Sequence, residues 1–248
     1  MNMFCKLGAA SLLALLLAFS LPMAQAQQPV QGTGVQPEQG VLLINEADGQ
    51  AQMSLKSGDA RPLLLHSRIY DVVEEDKSLV VVPLPTVVRV EPQGRQIVRF
   101  ALSKSEPLKV QHIKRVTFEG IPPSQKKEGE AKVNLNVRYD LPVIISPKGL
   151  VQHEAPWELM KWSVAAGRLT MTNPSPYIVR LSREVDLQPQ GKRIEIFKRT
   201  FALPGETLSV ELPKDVKPAD IKAVRLFPAN LWGYTAPDYD APLEPTAP

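Results

Sequence analysis

Proline is the residue that most restricts this chain. There are 24 of them in 248 residues, about twice the usual share of roughly 5%. Proline has no amide donor and clashes with the preceding helical turn, so helix interiors reject it, while turns and strand edges accept it. A helical bundle is therefore excluded. What lies between the prolines agrees, because no long segment repeats an apolar residue at i, i+3 and i+4. Short stretches alternate with period two instead, as half-buried strands do. Ala51-Gln52-Met53-Ser54-Leu55-Lys56 is one, and residues 96–102 are another. The cleanest runs from Val133 through Leu135, Val137 and Tyr139 to Leu141, with polar Asn134, Asn136, Arg138 and Asp140 between them.

The N-terminus reads as an address. Lys6 is the only charge in the first 26 residues; an apolar block from Leu12 to Phe19 follows, then the small-x-small triplet Ala24-Gln25-Ala26. That order describes a secretory signal peptide cleaved after Ala26, the apolar block being too short to span a bilayer comfortably. The sole cysteine, Cys5, lies inside this segment. The exported chain then enters an oxidising space without a disulfide and rests on hydrophobic packing alone. Residues 27–39 are polar and glycine-containing and are expected to be a flexible leader. Strands with turn signals follow at the rhythm of β-sandwiches, broken by a hinge at Ser146-Pro147-Lys148-Gly149. The expected domains are 40–147 and 148–235, with a fraying Pro- and Ala-rich tail at 236–248.

Catalytic and cofactor chemistry finds no foothold. His66, His112 and His153 are scattered, so no metal site is expected. There is no Gly-x-Ser-x-Gly elbow and no phosphate-binding glycine loop. Glu74, Glu75 and Asp76 adjoin one another on a turn, whereas paired-carboxylate catalysis needs groups converging across a cleft. Trp157 and Trp162 sit beside Leu159 and Met160, a setting that favours core packing over a sugar platform. A net charge of +3 gives no basis for nucleic-acid binding. No enzyme activity and no cofactor are expected.

Several segments together resemble the PapD-like periplasmic chaperones of the chaperone–usher pilus pathway. Pro62-Leu63-Leu64-Leu65 is similar to the family's Pro-Tyr-Leu strand. The stretch from Pro83 to Arg99, with Arg89-Val90-Glu91-Pro92-Gln93-Gly94 at its centre, is similar to the Pro-Pro, Arg-Leu-Glu-Pro-Gly and Val-Arg segment. Phe118-Glu119-Gly120-Ile121-Pro122-Pro123 and Tyr139-Asp140-Leu141-Pro142 resemble the ends of two further strands. Asn173-Pro174-Ser175-Pro176-Tyr177 resembles the second-domain Asn-Pro-Ser/Thr-Pro-Tyr motif. Their order and spacing cover nearly the whole exported chain.

The resemblance implies an all-β chain of two immunoglobulin-like β-sandwich domains in an L-shaped (boomerang) arrangement. It implies a periplasmic partner of pilus or fimbrial subunits that delivers them to an outer-membrane usher. Subunit binding would fall on Val133, Leu135, Val137 and Tyr139, donated as a strand; packing on the domain's own core is the other reading of that face. The family holds the subunit's terminal carboxylate with an Arg on the first strand and a Lys on the last. Here Gly40 to Asn45 contains no Arg, and the resemblance leaves Arg138 as the anchor, an exposed strand arginine being its plainer reading. Pro62 and Leu64 match the usher-facing position. An unused donor strand is adhesive, so a self-capping dimer is compatible with this reading. A secreted carbohydrate-binding sandwich or a pilus structural protein is the alternative.

Overall fold

A computed structural model describes residues 34–72, 79–123 and 136–244. The first sandwich uses β1 (Val35–Pro37), β2 (Leu42–Asn45), β3 (Gln50–Ser57), β4 (Leu63–Asp71), β5 (Val80–Leu84), β6 (Val87–Val90), β7 (Arg95–Ser103), β8 (His112–Ile121) and β9 (Arg138–Ser146). One sheet has the order β1-β3-β7-β5 and the other β2-β9-β8-β4-β6. Alternation decides what each strand buries. Met53 and Leu55 of β3, Val98 and Phe100 of β7, and Val116 and Phe118 of β8 close the core between the sheets. At its centre the rings of Phe100 and Phe118 meet edge to face, 6.2 Å apart at 84°.

The second sandwich contains β10 (Lys161–Ala165), β11 (Arg168–Thr172), β12 (Val179–Arg180), β13 (Glu184–Gln188), β14 (Lys192–Glu195), β15 (Phe201–Ala202), β16 (Thr207–Glu211), β17 (Ala223–Leu226) and β18 (Tyr239–Pro242). They form sheets β10-β11-β16, β12-β15 and β14-β13-β17-β18. Trp157 and Trp162 are buried in this core, so neither forms a sugar platform. The Asn-Pro-Ser-Pro-Tyr motif has a physical role. Asn173 is buried and its amide donates to the carbonyls of Tyr177 and Leu203 at 2.9 and 3.0 Å. Its Oδ1 accepts from the Ser175 amide and hydroxyl. A short polar side chain thus satisfies backbone groups that two prolines leave without regular pairing.

Two expectations need correction. The leader at 27–39 is too long, because Val35–Pro37 pairs with β3 and Val35 is wholly buried. Gly120 makes room for this segment: a Cβ there would come within 3.1 Å of the Gly34 Cα and the Val35 amide nitrogen. The tail at 236–248 is likewise too long, since Tyr239–Pro242 pairs with β17 and buries Ala241. Short segments without clear alternation carry little pattern, and here tertiary pairing orders them.

The two sandwiches share a third cluster. Val41, Ile113 and Ile144 from the first meet Ile178 and Phe201 from the second. Polar bonds flank it. The Gln111 amide donates to the Pro176 carbonyl at 2.8 Å, and its side-chain oxygen accepts from the Ile178 amide at 2.9 Å. Just after β2, Glu46 gathers three donors. Lys104 Nζ lies 2.6 Å from Oε1, and the amides of Leu108 and Lys148 donate at 3.1 and 2.7 Å.

Those contacts, led by the Lys104 hydrogen bond, lower the Glu46 pKa from 4.5 to about 2. Because the folded-state value is depressed, the stabilisation is complete above the unfolded pKa and is lost as pH falls through the folded one. The wild type is expected to exceed Glu46→Gln in thermal midpoint at neutral pH, and the gap should close between pH of about 4.5 and about 2. A gap that does not change over this range would contradict the assignment.

Candidate functional site

The last strand of the first sandwich has an outer edge of two halves. β2 runs parallel to β9, with Leu42 opposite Val143 and Asn45 opposite Ser146. Nothing among the described residues pairs with the outer edge of Arg138–Pro142. Inward, the same residues pair with β8, Arg138 opposite Glu119 and Pro142 opposite Arg115. One half of the strand is therefore interior and the other is an open edge, a backbone template for a further strand.

The two faces of β9 differ sharply. Val143 and Ile145 lie in the first core, and Tyr139 and Leu141 pack partly against it. Val137 has the same parity; a Cβ on Gly34 would lie 3.4 Å from its own Cβ. Tyr139 thus touches its own domain's core, and the odd face is continuous with that core. Val133 and Leu135 lie outside the described residues. On the other face Arg138 is exposed and has no hydrogen bond or ion pair among the described residues.

Two positions further on, the even face carries a charged network. Arg115 Nε lies 2.7 Å from Asp140 Oδ1, and Nη2 donates to the Asp140 carbonyl at 3.0 Å. Arg115 Nε also donates to the Tyr70 oxygen at 3.1 Å, and the Tyr70 hydroxyl donates to Asp140 Oδ2. Burial and the Asp140 hydrogen bond hold the phenol above its usual value of 10.0. Sequence reasoning missed this trio. Tyr70, Arg115 and Asp140 lie on three strands, and only the cross-strand register joins them.

At the opposite end of the sheet is an apolar surface of Pro62, Leu63, Leu64, Ile121, Pro122 and Pro123, bordered by Arg89. Leu64 of β4 faces Ile121 of β8 across the ladder, and the two are 47% and 39% exposed. This is far more apolar exposure than a strand entry requires. No group of three His, Cys, Asp or Glu among the described residues could hold a metal.

Comparison with known proteins gives this geometry a family. Residues 34–151 match the pili and flagellar-assembly chaperone, PapD N-terminal domain, and residues 155–233 match the pili assembly chaperone PapD, C-terminal domain. An uncharacterized fimbrial chaperone of Escherichia coli K12, YhcA, is 37% identical over 212 residues, covering 86% of this chain and 92% of its own. The chain belongs to the PapD-like pilus-assembly chaperones. Solved members share the fold at low identity. A chain of the Salmonella enterica SafA pilin–SafB chaperone complex superposes with a TM-score of 0.66 at 16% identity, covering 86% of this chain and 97% of that one. The E. coli chaperone DraB gives 0.65 at 19%, covering 84% and 98%. As a PapD-like chaperone the protein is a non-catalytic periplasmic assembly factor of two immunoglobulin-like domains.

The Tyr70 network is open to direct test. Asp140→Asn should move the Tyr70 pKa down, because it removes a raising hydrogen bond and leaves the Arg115 guanidinium beside the phenol. A tyrosine-labelled NMR titration that leaves Tyr70 unchanged would remove Asp140 as a cause.

Proposed function

We propose that this chaperone stabilises fimbrial subunits by donating the strand that contains Val133, Leu135, Val137 and Tyr139. The observation that carries the reading is the uncovered edge of β9 at Arg138–Pro142, entered from the cleanest alternating segment of the sequence. A strand added there gains backbone hydrogen bonds for affinity, and its register is set by side chains of one parity. The odd positions continue the face that Tyr139 and Leu141 lay on the domain's own core, so donation extends that core into the subunit. Capping hides the open edge and apolar groove of an incomplete subunit. No nucleotide or cofactor is required.

Further parts of the reading rest on the resemblance. Export follows cleavage after Ala26, leaving a first domain that takes in Val35–Pro37 and a second that takes in Tyr239–Pro242. Arg138, exposed and without a hydrogen bond or ion pair among the described residues, is the strand cation available to a subunit carboxylate. Pro62 and Leu64 offer the usher an apolar face, supported by the exposed surface they share with Ile121. Without a subunit, two open β9 edges can cap one another as a dimer.

Co-expression with the fimbrial subunit encoded beside the chaperone, followed by periplasmic co-purification, tests the donor strand. Burying a leucine is worth ~1.5–3 kcal/mol, so Leu135→Asp should lower subunit recovery by roughly 10- to 100-fold. Leu135→Val should lower it only slightly, and both variants should remain folded. Undiminished recovery with Leu135→Asp would exclude strand donation. Leu64→Glu should leave subunit binding intact and abolish capture of the chaperone–subunit complex by the purified usher. Capture at wild-type level would exclude that face.

A further inference from the structure

A strand at the rim of a sheet carries unpaired amides and carbonyls, and proteins guard such rims with proline, charge or brevity. Most rims here are guarded. β1 is three residues long and ends in Pro37, and β5 carries Pro83 inside it. β14 opens with Lys192 and Arg193, and β18 closes with Pro242. Lys161 starts β10, and Leu243 bridges to Trp162 beside it. β12 and β15 are only two residues each. β16 is the exception in the second domain. Thr207-Leu208-Ser209-Val210-Glu211 holds no proline and no basic residue. It pairs with β11 on one side without a bulge and meets no strand on the other among the described residues.

The register settles which backbone groups face outward. At the two ends of the β11–β16 ladder, the amides of Leu212 and Asn173 donate to the carbonyls of Gly167 and Glu206, both at 2.9 Å. Bonded and non-bonded pairs alternate along an antiparallel ladder. Leu169–Val210 and Met171–Leu208 are therefore bonded pairs, and Arg168–Glu211, Thr170–Ser209 and Thr172–Thr207 are not. The amides and carbonyls of Thr207, Ser209 and Glu211 thus point away from β11. No backbone among the described residues takes them up. One side chain does: Arg168 Nη2 donates to the Ser209 carbonyl at 3.2 Å, while its Nε donates to the Ser209 hydroxyl at 3.0 Å. Glu211 is the other group that Arg168 holds, and its side chain is 84% exposed. A movable arginine is all that covers this rim.

We infer that β16 is a dimerisation edge, on which two copies of this chain pair antiparallel about Ser209 and join their β10-β11-β16 sheets into one. The strand is complementary to itself in that register. Ser209 faces the partner's Ser209, Thr207 faces the partner's Glu211, and Leu208 faces the partner's Val210. No like charges meet, and every outward amide and carbonyl of the three odd positions finds an acceptor or a donor. Any other register leaves some of them unpaired. Leu208 and Val210, half-buried against the second core, gain apolar neighbours of the same size. Arg168 releases the Ser209 carbonyl and keeps the Ser209 hydroxyl and Glu211. The contact is isologous, so it closes at two copies. It lies wholly in the second domain and uses neither the open edge of β9 nor the surface around Leu64. It is therefore independent of strand donation, and a dimer of this kind holds two donor strands at once.

Sedimentation equilibrium of the full exported chain should show a reversible monomer–dimer equilibrium. Ser209→Lys sets two ammonium groups against each other on the symmetry axis and should weaken association about fivefold. Mixing it with Ser209→Glu should restore a heterodimer. Thr207→Lys faces the partner's Glu211 at both ends of the contact and should tighten association about fivefold. Leu135→Asp, in the first domain, should change nothing. A chain that stays monomeric up to its solubility limit would overturn the inference, and so would a dimer indifferent to Ser209→Lys. A dimer lost with Leu135→Asp and kept with Ser209→Lys would assign the contact to β9 instead. A monomeric chaperone whose subunit recovery falls with Ser209→Lys would put the subunit on β16 and overturn the dimer. Should Ser209→Lys melt far below the wild type, Thr207→Lys decides alone, and no tightening overturns the register.

Discussion

The rest of this structure depends on how β2 shares the edge of β9. Parallel pairing over Leu42–Asn45 takes the C-terminal half of that edge and ends there. Had β2 been five residues longer towards the N-terminus, the described edge of β9 would be closed and the chain would be an ordinary sandwich. Gly40 lies within such an extension, and a Cβ there would stand 3.0 Å from the Trp232 carbonyl. The approach of the second domain at this point is close, and the chain before β2 departs to form β1 in the opposite sheet. One short strand therefore leaves a template for another chain while sealing the core beneath it.

The same crossing brings the two sandwiches together. Val41 and Ile144, one on each side of the β2–β9 ladder, enter the apolar cluster that contains Ile178 and Phe201. Glu46 ties the far end of β2 to the loop at Lys104–Leu108 and to the linker at Lys148. Apolar contact fixes the neighbourhood without direction, whereas the hydrogen bonds of Gln111 and Glu46 fix register. The closed half of the edge is thereby held by both polar and apolar contacts, and the open half ends where β2 begins.

Much of the fold was legible in the residues. The prolines removed helices, period-two alternation located β3, β7 and β9, and the Asn173 motif marked a turn whose hydrogen bonds are intelligible from side-chain chemistry alone. Val35–Pro37 and Tyr239–Pro242 were not legible. Each is a few residues long, and each is ordered by a partner strand far away in sequence. The candidate site divided in the same way. The alternating segment from Val133 to Leu141 can be seen in one dimension, and so can Pro62 and Leu64. Tyr70, Arg115 and Asp140 are single polar residues on three strands, without any local pattern to join them.

By itself, then, the sequence determined a chain of two sandwiches, its single cysteine at position 5, with one segment of unusual regularity. Periodicity and turn chemistry are local properties, and local properties survive in a string of letters. Only the tertiary structure decided which half of β9 stays open, that Arg115 stands opposite Pro142, and that Tyr70, Arg115 and Asp140 join in one network. Those are consequences of register and of domain contact. Each depends on what lies beside a residue in space, and electrostatic cost is set there, by neighbours and by exclusion of water.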